Sequence, residues 1–209
     1  SCTNGSSEML SNISASVVTF LYNRQMMTLL GESGVAAITV IMYINFIFVA
    51  ILIGFSMGVA PVVSFHYGAQ NHSELQSLLR KCGLIILLSS AVMTALAELT
   101  AVPVVHAFVH TDPELAQITV HGFRLYSISF LFCGVNIFAS SFFTALCNGP
   151  VSALISVLRS LVLQCALILI LPALWALDGV WMTAAFTEFG TMLVSLAFLL
   201  GQRRRYHYM

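Results

Sequence analysis

Asn136, Ser140 and Thr144 stand four residues apart within an otherwise apolar run, so on a helix they share one face. Glu188 sits deep inside a second apolar run, and Arg159 lies inside a third. Asn12 and Asn45 add two more amides in stretches of the same character. Amide and hydroxyl oxygens can hold water or ligate a cation, and a carboxylate can carry a proton. An unpaired ionisable group at membrane depth costs about 2.5–3.5 kcal/mol, so such residues face an interior or find partners. Glu188 is therefore the leading protonatable or cation-binding group, with a structural hydrogen bond as its alternative role. Arg159 is expected to pair with an acid or with backbone carbonyls. Asn12, Asn45, Asn136, Ser140 and Thr144 are the candidates for a wet cavity or for hydrogen bonds between helices.

The elements that must position these groups follow from the distribution of charge. No Asp, Glu, Lys or Arg occurs between Glu32 and Glu74, nor between Arg124 and Arg159. Of the 209 residues 59% are hydrophobic and only 8% charged. Mean hydropathy is +0.95. A water-facing exterior does not need that much apolar surface, whereas a lipid-facing one does. A helix needs about 20 apolar residues to cross a hydrocarbon core of about 30 Å. Six such stretches are predicted: Met9–Leu30, Val35–Val63, Leu84–Val105, Leu115–Leu146, Val151–Leu174 and Gly179–Leu200. Backbone polar groups must be satisfied internally in lipid, and these runs are too long and too uniformly apolar for barrel strands. The expected fold is all-α and polytopic, one membrane domain over residues 1–209.

With six crossings the loops alternate between two sides. One side carries Arg80, Lys81, Arg203, Arg204 and Arg205, the other Glu32, Asp112, Glu114 and Asp178. The positive-inside rule then places both termini in the cytoplasm, with the chain multi-pass in the plasma membrane. The chain opens on Ser1 with an apolar helix close behind and no signal peptide, so an upstream segment is expected.

Local signals set the expected ends. Gly31 suits a helix C-terminus and Ser33 the cap of the next helix. Ser73 with Gln76 reads as a capping box. Asp112-Pro113-Glu114 is a strong helix start. Asn148-Gly149-Pro150 and Asp178-Gly179 read as tight turns. Gly54 and Gly58, four apart, and Pro61 beyond them permit close helix packing or a bend.

Other chemistries lack their signatures. No phosphate-binding glycine loop, G-x-S-x-G or H-E-x-x-H is present, so no enzyme is indicated. The five cysteines, Cys2, Cys82, Cys133, Cys147 and Cys165, are scattered and read as packing residues. His106, His110 and His121 lie near Asp112 and Glu114 in a water-exposed region without metal-site spacing, so no metal is expected. The tail arginines are explained by topology, so no nucleic-acid partner is expected.

The order of several motifs resembles one transporter family. Gly54-Phe-Ser-Met-Gly58-Val-Ala-Pro61, ending at Gly68-Ala69, resembles the second helix of each lobe in multidrug and toxic compound extrusion (MATE) transporters. Asn4-Gly5-Ser6-Ser7-Glu8 with Asn23 resembles the first helix of their C-terminal lobe, and Ser141 to Gly149 the end of the fourth. Arg159, Asp178-Gly-Val-Trp181 and Glu188 resemble the last two. The resemblance implies one six-helix lobe of a twelve-helix protein. Its partner would be an N-terminal six-helix lobe, in the same longer chain or a second subunit. It also implies efflux of small organic, cationic substrates by Na⁺ or H⁺ antiport, with no other cofactor and with membrane lipid as solvent. One sodium-coupled branch carries carboxylates in the first and fourth helices of this lobe. The matching positions here are Ala15 and Asn136.

Three other readings compete with export. A flippase for a lipid-linked oligosaccharide would need clustered basic residues. A membrane-embedded lipid-modifying enzyme would need a dense acid or His cluster at one depth. A non-catalytic assembly subunit would need only a partner.

Overall fold

The computed structural model describes residues 2–109 and 112–206; of residues 2–13, 204 and 205 it describes the backbone alone. The elements are α1 (Cys2–Leu30), α2 (Glu32–Gly68), α3 (His72–Phe108), α4 (Pro113–Ala145), α5 (Gly149–Val157), a π-helical turn (Leu158–Val162), α6 (Leu163–Gly201) and α7 (Arg203–Tyr206). No strand occurs among the described residues. Among the described residues four stretches, Glu32–Gly68, His72–Phe108, Pro113–Ala145 and Gly149–Gly201, are long and apolar enough to cross a membrane.

The last of these is not one rod. Trp175 (φ −124°, ψ 15°) and Ala176 (φ 49°, ψ −123°) are non-helical, and the chain reverses there. A Cβ at Gly190 would lie 3.3 Å from the Leu163 side chain. In a straight helix those positions would be about 40 Å apart. Gly179 presses its backbone against the Leu171 carbonyl, which only glycine permits. Residues 149–175 and 177–201 are thus antiparallel arms. The reversal falls two residues before the expected Asp178-Gly179 turn. Ala176 absorbs it in a left-handed conformation that costs a non-glycine residue about 1–3 kcal/mol. Asp178 is instead engaged across the bundle, its Oδ1 2.8 Å from His121 Nε2.

Two expected caps also move. Gly31 (φ 68°) makes the whole turn between α1 and α2, so α2 starts at Glu32 and Ser33 lies within its first turn. Gln70 (φ 53°) ends the preceding helix early enough that Asn71 caps α3, its Oδ1 accepting from Glu74 N at 3.2 Å. Ser73 is then already helical. The Asp112 cap is present, with Oδ1 accepting from Glu114 N at 3.0 Å and Leu115 N at 3.1 Å.

α4 is the central helix, packed on α2, α3, α5 and α6. Its spacing of small and aromatic residues explains why. Gly122 admits the fully buried Trp181 ring, and Gly134 admits the Ser90 side chain of α3. α3 shows the lipid logic plainly. Leu75, Leu79, Cys82, Ile86, Ser90, Met93, Ala97, Ala101 and Val105 form one buried stripe at helical spacing. Its other face is as apolar and lies open, with Leu99 79% exposed. On α2, Phe46 and Phe65 are 73% and 71% exposed. Apolar surface on this scale belongs in lipid or against another protein.

The two ends of the bundle differ. Tyr67 stacks near Tyr206 with centroids 5.8 Å apart, and Asn148 Nδ2 donates to Gln202 Oε1 at 2.6 Å. These contacts gather the ends of α2, α4 and α6 with α7 and Arg203. At the opposite end the His121–Asp178 contact ties the first turns of α4 to the chain just beyond the reversal at Trp175–Ala176.

A Cβ at Gly122 would sit 2.5 Å from Trp181 Cε2, and Trp181 is fully buried. Gly122→Ala is expected to destabilise the fold by about 1–3 kcal/mol. Gly83→Ala, with nothing within 4 Å, should hold or raise the melting temperature. Thermal unfolding in detergent distinguishes the two.

Candidate functional site

The core divides into two apolar clusters, one around Phe138, Phe142 and Phe143, the other around Trp181, Phe123 and Phe130. A polar layer lies at their junction, built from α4, the π turn and α6. Arg159 sits on the π turn, where Leu163 N–H reaches back five residues to Leu158 O. Such turns are rare and frequent at functional sites. Arg159 Nε donates to Glu188 Oε1 at 2.6 Å, with the side chains 25% and 10% exposed. Arg159 Nη2 reaches Cys133 Sγ at 3.1 Å.

Asn136 completes the arrangement. Its Nδ2 donates to Glu188 Oε2 at 2.7 Å and to the Glu188 carbonyl at 2.8 Å. Its Oδ1 accepts from Ser195 Oγ at 3.0 Å. Both carboxylate oxygens of Glu188 are therefore engaged, and the Asn136 amide is used at each end. The fully buried Asn136 acts as a clamp on Glu188. A carboxylate in its place would face Glu188 as a like charge.

Two cavities flank this layer along α2. The larger, about 420 Å³, is lined by Tyr22, Asn45, Phe46, Tyr126, Gln164 and Glu188 among others. Gln164 Nε2 donates to Tyr22 Oη at 3.1 Å on its wall. The smaller, about 200 Å³, is lined by Ser56, Asn136, Ser140, Ser141, Thr144 and Ser156, with apolar side chains between. Arg159 lines both. The structure thus brings Asn136 and Glu188 into contact and separates Asn45 from Ser140 and Thr144. Asn12 lies outside the residues whose side chains are described.

No atom lies within 4 Å of a Cβ at Gly54 or Gly58. Both glycines face outward, and α2 runs helical through Pro61. The sequence reading passed over Ser152 and Ser156, whose hydroxyls join Ser140 and Thr144. Their spacing of four residues, ahead of Arg159, was the available signal. Gln164 stands out as an amide in an apolar run, but its pairing with Tyr22 has no sequence signal, because the two meet only across helices.

The MatE family model matches residues 9–170. No curated protein matches the chain. A crystal structure of MATE in complex with MaL6 is 22% identical at a TM-score of 0.85, covering 96% of this chain and 45% of that one. The bent form of the Vibrio cholerae MATE transporter VcmN is 18% identical at 0.85, covering 98% of this chain and 46% of that one. A MOP superfamily transporter from Pyrococcus furiosus is 22% identical at 0.84, covering 96% of this chain and 45% of that one. At these identities the likeness is one of fold. The chain spans less than half the length of each.

Removing one member of a buried ion pair strands the other and costs about 3–5 kcal/mol. Arg159→Met and Glu188→Gln are each expected to lower stability on that scale. Replacing Arg159 and Glu188 together by Met should recover much of the loss, as read by thermal unfolding in lipid nanodiscs.

Proposed function

The chain belongs to the MatE family, and from that premise we propose that it forms one lobe of a secondary-active exporter of amphipathic organic cations. The observation that carries this reading is the polar layer. A buried Arg159–Glu188 pair borders two cavities inside a bundle whose outside is apolar. Intramembrane ionisable residues that line a cavity mark transport pathways. The larger cavity suits an organic cation. Tyr22, Phe46 and Tyr126 offer aromatic surface, Asn45 and Gln164 offer amides, and Glu188 offers the acid.

In this reading α1, α2, α3, α4 and the two arms meeting at Trp175–Ala176 make six crossings. The end with Arg203 is cytoplasmic, following the positive-inside rule. The open face of α2, with Phe46, Met57, Gly54 and Gly58, is where a second six-helix lobe packs, in the same longer chain or as another subunit. Rocking of the two lobes opens the cleft alternately to each side, driven by a Na⁺ or H⁺ gradient. A pyrophosphate-bearing lipid is a poorer cargo, because Arg159, the only basic residue among the described ones that line either cavity, is already neutralised by Glu188.

In proteoliposomes, efflux of a fluorescent lipophilic cation is expected only under an imposed Na⁺ or H⁺ gradient. Transport that persists unchanged after the gradients are collapsed would overturn the antiport reading. In a cysteine-free background, Asp112→Cys should be labelled by impermeant maleimide from outside intact cells. Arg203→Cys should be labelled only after permeabilisation, and the reverse pattern would overturn the orientation.

A further inference from the structure

Arginines inside the apolar bundle find acids, with one exception. Arg159 donates to Glu188 at 2.6 Å. Arg124 on α4 has Glu98 at 3.9 Å. Arg24 on α1 forms no ion pair and no side-chain hydrogen bond with another described residue. The neighbouring Asn23 amide is equally unengaged among the described residues. Thr28 offers Arg24 nothing, because its hydroxyl proton goes to the Arg24 carbonyl at 2.8 Å. Glu32, the nearest acid along the sequence, lies beyond the Gly31 turn and forms no ion pair with Arg24. The end where α1 meets α2 is also the acid-rich end of the sequence, so topology does not explain a basic residue there.

A second observation is the cavity these two side chains share. Phe20, Asn23, Arg24, Met27 and Thr28 of α1 and Val35 of α2 line a groove of about 420 Å³. Its walls are mostly apolar, and Phe20 and Met27 are 64% and 54% exposed. An occupant must therefore offer an anion to Arg24 and a hydrocarbon body to Phe20, Met27 and Val35. Depth narrows the choice. α1 has 29 residues, so it is about 44 Å long, against a hydrocarbon core of about 30 Å. Centred on that core, it projects about 7 Å at each end, and Arg24 lies about 9 Å from the Leu30 tip. The guanidinium thus stands at the boundary between acyl chains and headgroups, where the membrane itself presents phosphates. Its planar fork matches two phosphate oxygens, and the Asn23 amide adds a further donor.

We propose that the groove at the α1–α2 junction binds one anionic phospholipid. Arg24 and Asn23 hold its phosphate, and an acyl chain lies along Phe20 and Met27. The site is distinct from both cavities that border Arg159, and its existence does not depend on the export reading.

The test is thermal unfolding of the intact protein in an uncharged maltoside detergent, titrated with dioctanoyl phosphatidylglycerol. Dioctanoylglycerol supplies the same chains without phosphate, and glycerol phosphate supplies the headgroup without chains. The phospholipid is expected to raise the melting temperature in a saturable way, and neither of the other two to do so. Arg24→Gln should raise the half-saturating concentration about tenfold or more, the scale of a lost charge-assisted hydrogen bond. Without lipid it should melt with the parent, because the side chain it replaces is exposed and unpaired. Lys81→Gln, an exposed cation on α3 outside the groove, should keep the full response. Phe20→Ala should weaken the response to the lipid through its apolar arm. No shift with the phospholipid would overturn the site and leave Arg24 to an acid of a second lobe. An equal shift with glycerol phosphate would overturn the lipid assignment in favour of a free phosphate. An undiminished lipid response in Arg24→Gln would overturn the groove as its location.

Discussion

Placing a guanidinium and a carboxylate inside an apolar bundle is the constraint around which this protein is arranged. Taking either charge out of water is expensive, and their attraction offsets that only when the remaining donors and acceptors are also met. The structure meets them one by one. The π turn swings Arg159 toward Glu188, Cys133 takes a second N–H, and Asn136 closes the other carboxylate oxygen. Ser195 then fixes which way the Asn136 amide points. The rest of the bundle holds α4, the π turn and the second arm of α6 at the spacing this network needs. Phe142 and Trp181 fill the core on either side of it.

The distribution of polarity is inverted relative to a protein in water. The α3 surface that packs inward is no more apolar than the one that faces out, since hydrophobicity does not drive helices together within lipid. Packing is secured by shape instead. Gly122 receives Trp181, Gly134 receives Ser90, and Gly34 lies against the Met26 carbonyl. Polar side chains serve as cross-links, as where Ser64 Oγ donates to the Ala145 carbonyl at 2.9 Å and Gln25 Nε2 to the Ile168 carbonyl at 3.2 Å.

In the proposed export reading, the neutrality of the central pair matters as much as its charges. A cargo taking such a path along α2 would meet aromatic rings and amides first, then Arg159, then hydroxyls. With Glu188 in place the guanidinium presents no net charge to it. Anything that loosens Glu188 would uncover a positive charge midway. Asn136 resists this without titrating, because a side-chain amide neither gains nor loses charge at ordinary pH.

Read without a structure, the chain already declared its solvent, its helical class and its two unlike ends. Those properties depend on hydropathy, helical period and the counting of charges, all local along the sequence. The Asp112 cap was legible for the same reason, because its partners are the next few backbone amides. The Ser33 and Ser73 caps and the Asp178-Gly179 turn were not. A left-handed Gly31, Gln70 or Ala176 decides where the chain turns, and neighbouring residue types only bias that choice. Glu188, Asn136 and Arg159 were visible as polar residues in apolar runs. That they form one network could come only from tertiary structure, since it joins positions 29 and 52 residues apart. Periodicity says which residues share a helix face, but which face meets which depends on how side chains from distant parts of the chain interlock.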